Sequence, residues 1–318
     1  MAWGWTAGRV QYRDYFDNHA PLFHILTAPF VAALGERANI LFYMRALMVP
    51  LWVVVLVCTF VVAERLYSRR VAMWSVLLLS LFPPFFLKSL EYRTDNLWTA
   101  LWMIALLLLF SGPPSVRRSF VIGLVLGCAL AVSMKTILLL ATVAGAGFIT
   151  RHVTRDRSPV AAPLLSAAAG LVIVPAIVAG YFIAIGAWSN FVYCVISFNT
   201  LIAKTRPSLT FEHIAWPFAV AAIILVARRS PGADERRLFC GVVIALFCVT
   251  LLGFWVLISP RDFLPVMPLA AIFSVAVFER FDSRFVICTI AAATLAISLF
   301  YYADRFEKRT DEFVTMMN

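Results

Sequence analysis

Between residues 41 and 302 the chain returns repeatedly to apolar runs of about 18 residues, each long enough to cross about 30 Å of hydrocarbon as a helix. In lipid no water serves the backbone, so a spanning segment must satisfy its own N–H and C=O groups, as helices and closed barrels do. The runs are continuous rather than alternating, which selects helices. Composition leaves no other class: 62% of the 318 residues are hydrophobic and only 14% charged, whereas a soluble domain carries about a quarter charged residues. The expected fold is all-α, a polytopic transmembrane helix bundle.

About ten spans are predicted, near 41–63, 72–89, 97–111, 119–133, 135–149, 161–186, 213–228, 238–258, 263–279 and 285–302. Residues 119–149 form one apolar stretch broken only by Lys135. As a single helix it would be about 46 Å long and would bury Lys135 near its middle. It would also put Arg117 and Arg118 on one side of the bilayer and Arg151 to Arg157 on the other. A turn at Ser133-Met134-Lys135 removes both problems. With that turn, the connectors 64–71, 112–118, 151–160, 228–237 and 279–284 fall on one side and hold fourteen Arg, against six Lys or Arg in the opposite connectors. The Arg-rich side reads as cytoplasmic. Residues 1–40 then form an outward loop in which 21–35 is a short interfacial helix, 41–302 the bundle, and 303–318 an outward tail. Residues 187–212 are similarly amphipathic and are expected along the outer surface. A chain that begins in an outward loop needs something to translocate it, so a further span upstream, an eleventh, is expected.

The net charge of +10 reflects these topology-setting arginines and not a nucleic-acid partner. Six scattered cysteines without a CxxC pair, and four histidines without ligand spacing to them, give no zinc site or disulfide framework. No metal ligand set and no cofactor are expected, with a divalent cation left open.

Polar groups gather in three outward stretches: Tyr12 to Leu22, Glu91 to Asp95, and Arg261 to Pro265; Lys135 joins them. Ionisable residues beside lipid are expensive and so are functional candidates. Plainer readings stand beside this one. Arg93 can snorkel to the interface, Asp95 can cap the helix it precedes, and Arg261–Asp262 can be a loop ion pair of little value. His24 is off-register with His19 for a shared helical face and reads as a packed or interfacial histidine. Arg45 reads equally as an acidic neighbour's partner or as a contact for lipid phosphate. Lys135, surrounded by Leu, Val and Ala, requires an anion or carboxylate. Carboxylates that can take a hydroxyl proton, together with cations that can hold a phosphate, suit a lipid-phosphate substrate.

The run Gly8-Arg9-Val10-Gln11-Tyr12-Arg13-Asp14-Tyr15-Phe16-Asp17-Asn18-His19-Ala20-Pro21-Leu22 resembles the first outer loop of the GT-C superfamily of polyprenyl-phosphate-sugar glycosyltransferases. The branch it looks most like holds the bacterial relatives of protein O-mannosyltransferases and of the lipid A aminoarabinose transferase. Gly35 and Arg45 stand where that family has a Gly and an Arg opening the next span. Glu91-Tyr92-Arg93-Thr94-Asp95 resembles its "E-x-R-x-D" element, Lys135 a lysine at the corresponding turn, and Arg261 to Pro268 its late "R-Y-L-L-P-x-x-P" element. Order and spacing agree over roughly residues 8 to 280.

The resemblance implies an inverting transfer of a sugar from a polyprenyl-phosphate donor to the hydroxyl of a glycan, lipid or protein acceptor, at the outer face of the plasma (inner) membrane. It implies a phosphate-contacting His19, further phosphate or sugar contacts at Arg13, Glu91, Arg93, Lys135 and Arg261, and a supporting acid at Asp95. The family's principal catalytic carboxylate lies upstream of the "G-x-x-Y-R-D" pattern, where this chain has no acidic residue before Asp14. The expectations are therefore an acidic pair further upstream, with Asp14 and Asp17 the only local substitutes, and a chain that is inactive without that pair. A transporter or flippase of a lipid-linked sugar or other anion is the alternative; it would favour charges at mid-membrane and repeated halves, and neither is visible. A non-catalytic assembly protein or degenerate paralogue is a further one.

Overall fold

A computed structural model describes residues 1–156, 158–202, 235–255 and 258–279, with isolated positions between 292 and 299. The predicted span 213–228 lies outside the described residues, as does 285–302 apart from those positions. Every regular element among the described residues is helical. The chain opens with α1 (Ala2–Thr6) and, after a tight loop, α2 (Leu22–Leu34), which occupies the predicted interfacial segment. Gly35 ends α2 at φ +66°, a left-handed conformation that favours glycine. Next come α3 (Ile40–Ala46), α4 (Val49–Leu66), α5 (Arg69–Leu81), α6 (Pro83–Ser89) and α7 (Thr94–Leu109). They are followed by α8 (Val116–Val132), α9 (Thr136–Thr154) and α10 (Ala161–Ala184). The last are α11 (Trp188–Val192), α12 (Phe198–Ile202), α13 (Glu235–Phe254) and α14 (Met267–Glu279).

Among the described residues, four helical stretches are long and apolar enough to cross a membrane: Ile40–Leu66, Thr136–Thr154, Ala161–Ala184 and Glu235–Gly253. The expected span 72–89 is not one rod. It is α5 and α6, bent by 71°. The cause is Pro83-Pro84, whose rings remove two backbone donors and clash with the preceding turn, so the helix must restart. The break inside 119–149 is where the lysine argument put it: α8 stops at Val132 and α9 starts at Thr136. Packing shows that the chain reverses there. Thr142 of α9 meets Thr250 of α13 at 3.3 Å, while α8 lies alongside α10, Ser166 Oγ donating to the Val116 carbonyl at 2.8 Å.

Two helices show the extremes of burial. α7 buries ten of its sixteen residues, among them Trp98, Trp102 and Met103, and forms the centre of the bundle. α10 buries only Gly170 and Phe182 over 24 residues and turns its apolar surface outward. Among the described helices it packs most extensively on α8, and small residues permit the approach. A side chain at Gly123 would strike the Ala167 carbonyl, and one at Gly170 the Phe120 carbonyl.

The two ends of the bundle differ chemically. At one, arginines bind helix ends: Arg65 donates to Ser111 Oγ at 2.9 Å and to the Leu107 carbonyl at 3.3 Å. Arg237 donates to the Leu66 carbonyl at 2.6 Å, its guanidinium 4.5 Å from the centre of the Tyr67 ring. The other end collects the starts of α7, α9 and α14, and there carboxylates and cations interleave.

The α8–α10 contact yields a test. Gly123→Leu is expected to destabilise the protein by about 1–3 kcal/mol through overpacking, whereas the same change at Gly147, which has open space around it, should be tolerated. Thermal unfolding of the detergent-solubilised protein checks both.

Candidate functional site

Lys135 sits in the turn between α8 and α9 with its side chain only 16% exposed. Burying an ammonium in apolar surroundings is tolerable only with counter-charges at hand. Two carboxylates from distant segments supply them: Asp95 Oδ1, in the first turn of α7, lies 3.1 Å from Lys135 Nζ, and Asp262 Oδ1 pairs with the same nitrogen. The rings of Trp98 and Trp255 close over the ammonium, each with its centre 5.7 Å away.

The local chain explains why Asp262 is there. Ser259 opens a short 3-10 turn, Pro260–Phe263, and accepts from the Arg261 N–H; Asp262 Oδ2 in return accepts from the Ser259 N–H at 2.7 Å. One carboxylate oxygen therefore fixes the turn and the other meets Lys135. Asp262 was not among the sequence-derived site residues, and the plainer reading joined it to Arg261. Instead Arg261 Nε faces Glu91 Oε2 at 3.3 Å, without hydrogen-bond alignment, and Lys88 Nζ holds the other Glu91 oxygen at 2.7 Å. Adjacent residues on a 3-10 turn point apart, so each finds a partner far away in sequence. Asp95 also departs from its expected place: the cap position of α7 is Arg93, and Asp95 lies two residues further on, in the first turn. Arg93 Nε is 3.5 Å from Asp95 Oδ2, with its own side chain 41% exposed.

A second cluster comes from the loop between α1 and α2. Val10 N–H donates to Asp14 Oδ2 at 2.7 Å, and Tyr12 N–H to the Tyr15 carbonyl at 2.9 Å, which folds residues 10–15 into a turn. Arg13 and Asp14 pair with each other on its exposed side at 2.9 Å. Tyr12 adopts φ +73°, an unfavourable conformation for a bulky side chain. It is held there by burial against Phe182 and Phe191, with ring centres 5.1 and 5.3 Å away, and by its hydroxyl, which donates to the His19 carbonyl at 2.7 Å.

Asp17, 2% exposed, lies at the centre of this loop. Its Oδ1 accepts from the His19 backbone N–H and faces His19 Nδ1, both at 3.0 Å. Its Oδ2 accepts from Gln11 Nε2 at 3.0 Å and lies 2.9 Å from His24 Nε2. His24, expected to stand apart from His19, thus shares its carboxylate; the register argument compared two helical positions, but only His24 is on a helix. Burial alone would raise the Asp17 carboxyl; the hydrogen bonds from His19 and the adjacent His24 imidazole outweigh it and hold it well below the usual carboxylate range.

The structure therefore brings the predicted residues into two adjacent groups of paired charges, Arg93–Asp95–Lys135 with Asp262 and Glu91–Arg261 with Lys88; Asp262 and Lys88 are members that the sequence did not single out. Asp17 and His19 belong to the neighbouring loop cluster. Arg13 and Asp14 pair only locally. Among the described residues, no three His, Cys, Asp or Glu side chains converge as a metal would need. The two carboxylates that do converge hold an ammonium.

Comparison with known proteins places this arrangement. A family model described as dolichyl-phosphate-mannose-protein mannosyltransferase matches residues 18–182, just over half of the chain. No curated protein matches in sequence. The fold is similar to crystal structures of ArnT from Cupriavidus metallidurans, one bound to undecaprenyl phosphate and one in the apo state. Each gives a TM-score of 0.62 at 16% identity over 83% of this chain and 50% of that one. The chain thus spans about half the length of those structures.

Two outcomes follow from the site's charges. Lys135→Met leaves two buried carboxylates facing each other and should cost about 3–5 kcal/mol; adding Asp95→Asn and Asp262→Asn should recover most of it, read as melting temperature. Asp17 has a folded-state pKa below its unfolded value of about 3.9, so its stabilisation of the loop is complete above that value and is lost only as pH falls through the folded one. Fluorescence of Trp5, whose indole donates to Gln11, should therefore stay constant from pH 7 down to about pH 4.

Proposed function

The chain belongs to the dolichyl-phosphate-mannose-protein mannosyltransferase family, and from that premise we propose that it transfers a sugar from a polyprenyl-phosphate donor to an acceptor hydroxyl, with inversion, at the outer face of the plasma membrane. The observation that carries the proposal is the interleaved cluster around Lys135, built from the starts of three helices at the end of the bundle opposite the arginine-rich connectors. A lipid phosphate presents its charge at that depth, next to apolar helices, and a sugar attached to it would extend outward. The ArnT structure that shares this fold holds undecaprenyl phosphate, which supports the donor class.

In the proposed reaction an acceptor oxygen bonds to the anomeric carbon, the carbon–oxygen bond to phosphate breaks, and its electron pair leaves with the phosphate. The hydroxyl proton passes to a carboxylate. Asp17, Asp95 and Asp262 are each already engaged by two or more partners, which favours them as groups that hold the site's shape, with the proton acceptor outside these three. Arg93 and His19, with side chains 41% and 37% exposed, are the groups with capacity left to meet the phosphate and stabilise its developing charge.

Incubating the purified protein with a radiolabelled polyprenyl-phosphate sugar and a membrane acceptor fraction tests the proposal. Label should move to the acceptor, and Arg93→Ala should lower the rate by about 100-fold while the melting temperature stays near that of the parent. Movement of intact donor across a vesicle membrane without cleavage would instead establish a transporter and defeat the proposal.

A further inference from the structure

Asp17 invites reading as a catalytic acid or base, being an aspartate in the polar loop, and its surroundings argue otherwise. Both oxygens are engaged: two His19 nitrogens meet Oδ1 and Gln11 Nε2 donates to Oδ2, all at 3.0 Å, while His24 Nε2 lies 2.9 Å from Oδ2 without hydrogen-bond alignment. A carboxylate with three hydrogen bonds, an imidazole against it and 2% exposure leaves no room for a hydroxyl to approach. Its neighbour is placed in the opposite way. His19 has its side chain 37% exposed, its Nδ1 turned inward to Asp17, and its backbone carbonyl tied down by the Tyr12 hydroxyl. Nδ1 beside a carboxylate is a donor, so Nε2 is the one ring nitrogen left for a ligand.

We infer that Asp17 is a positioning residue that acts through His19: it fixes the imidazole so that Nε2 points at the donor's phosphate. This rests on the functional reading above. In its charged form the ring donates from both nitrogens, and carboxylate, imidazolium and phosphate alternate in sign along one line. The same logic orients metal-bound and catalytic histidines, where a carboxylate on one nitrogen sets the direction and tautomer of the other. The loop is built to hold this geometry. Trp5 fixes Gln11, Gln11 fixes Asp17, and Tyr12 keeps its left-handed backbone because Phe182 and Phe191 cage its ring. Such strain persists only where the surroundings over-determine it.

The test is binding of a polyprenyl phosphate to the full chain in detergent, with melting temperature followed in parallel. His19→Gln places an amide nitrogen near the Nε2 position and His19→Asn places one near Nδ1. The inference expects the Gln variant to lose about 3-fold in affinity and the Asn variant about 10-fold or more, on the scale of one hydrogen bond to a charged group. Asp17→Asn turns one acceptor into a donor facing other donors and should weaken binding about 10-fold. Because Asp17 acts through His19, the double variant Asp17→Asn/His19→Asn should bind no more weakly than His19→Asn alone, within about twofold. Additive losses in that cycle, parental affinity in Asp17→Asn, or an Asn variant that outperforms the Gln variant would each overturn the inference. Should Asp17→Asn fail to fold, the comparison at the exposed His19 decides by itself. A parent protein that binds no polyprenyl phosphate would remove the functional reading as well, and is distinguished by failing before any substitution is made.

Discussion

One ammonium organises the site. Lys135 cannot be buried without counter-charge, and no acidic residue lies near it in sequence; it obtains Asp95 from 40 residues away and Asp262 from 127. Meeting both requires that α7, α9 and the turn before α14 begin at the same level of the bundle. That condition also explains the break between α8 and α9. A continuous helix would carry the lysine into the hydrocarbon at mid-height, where neither carboxylate could reach it.

Around that pair the charges are close to balanced. Lys88, Arg93, Lys135 and Arg261 supply four cations; Glu91, Asp95, Asp262 and Asp17 supply four carboxylates. Such a site has little surplus field to attract a distant anion. The phosphate of the proposed donor would instead be recognised locally, by cations whose present partners are loose. Arg93 meets Asp95 at 3.5 Å and Arg261 meets Glu91 at 3.3 Å without alignment, and both can turn to a stronger acceptor at small cost. Lys135, gripped from two sides and roofed by indoles, cannot. Its task is to keep Asp95 and Asp262 in place while the outer groups exchange partners.

The parts of this arrangement that were legible in the sequence follow from solvent physics alone. A lone lysine in thirty apolar residues must lie at an end, and the hairpin follows from it. An arginine excess on alternate connectors gives the expected orientation of the helices. What could not be read is partner choice. Arg261 and Asp262 are adjacent, and only the 3-10 turn set by Ser259 sends one to Glu91 and the other to Lys135. The convergence of His19 and His24 on Asp17 was hidden similarly, because it depends on a loop whose path is fixed by an aromatic cage contributed by residues some 170 positions later. The bend at Pro83-Pro84 was visible as two prolines, but hydropathy averaged across it and gave one span.

Helix length links the charge cluster to the membrane. α7 has 16 residues and α8 has 17, so each rises only about 24–26 Å, short of a hydrocarbon core of about 30 Å. The flanking helix α10, with 24 residues, is long enough to span it with length to spare. If the shortfall falls at the end that carries Asp95 and Lys135, a short central helix inside a longer surround would set those charges below the level of the interface, beside apolar helices. This is why the cluster had to be paired so completely: at that depth an unpaired charge is far more costly than at the surface. Charges at that level would suit a molecule whose anionic head is attached to a long apolar chain, since the chain can stay in lipid while the head moves inward by a few ångströms. A water-soluble anion would have to leave its hydration behind and receive nothing for its lack of a tail. A charge cluster at the ends of short helices, made tolerable by Lys135, would thus suit the proposed lipid-borne phosphate better than a soluble one by the same physics that built the bundle.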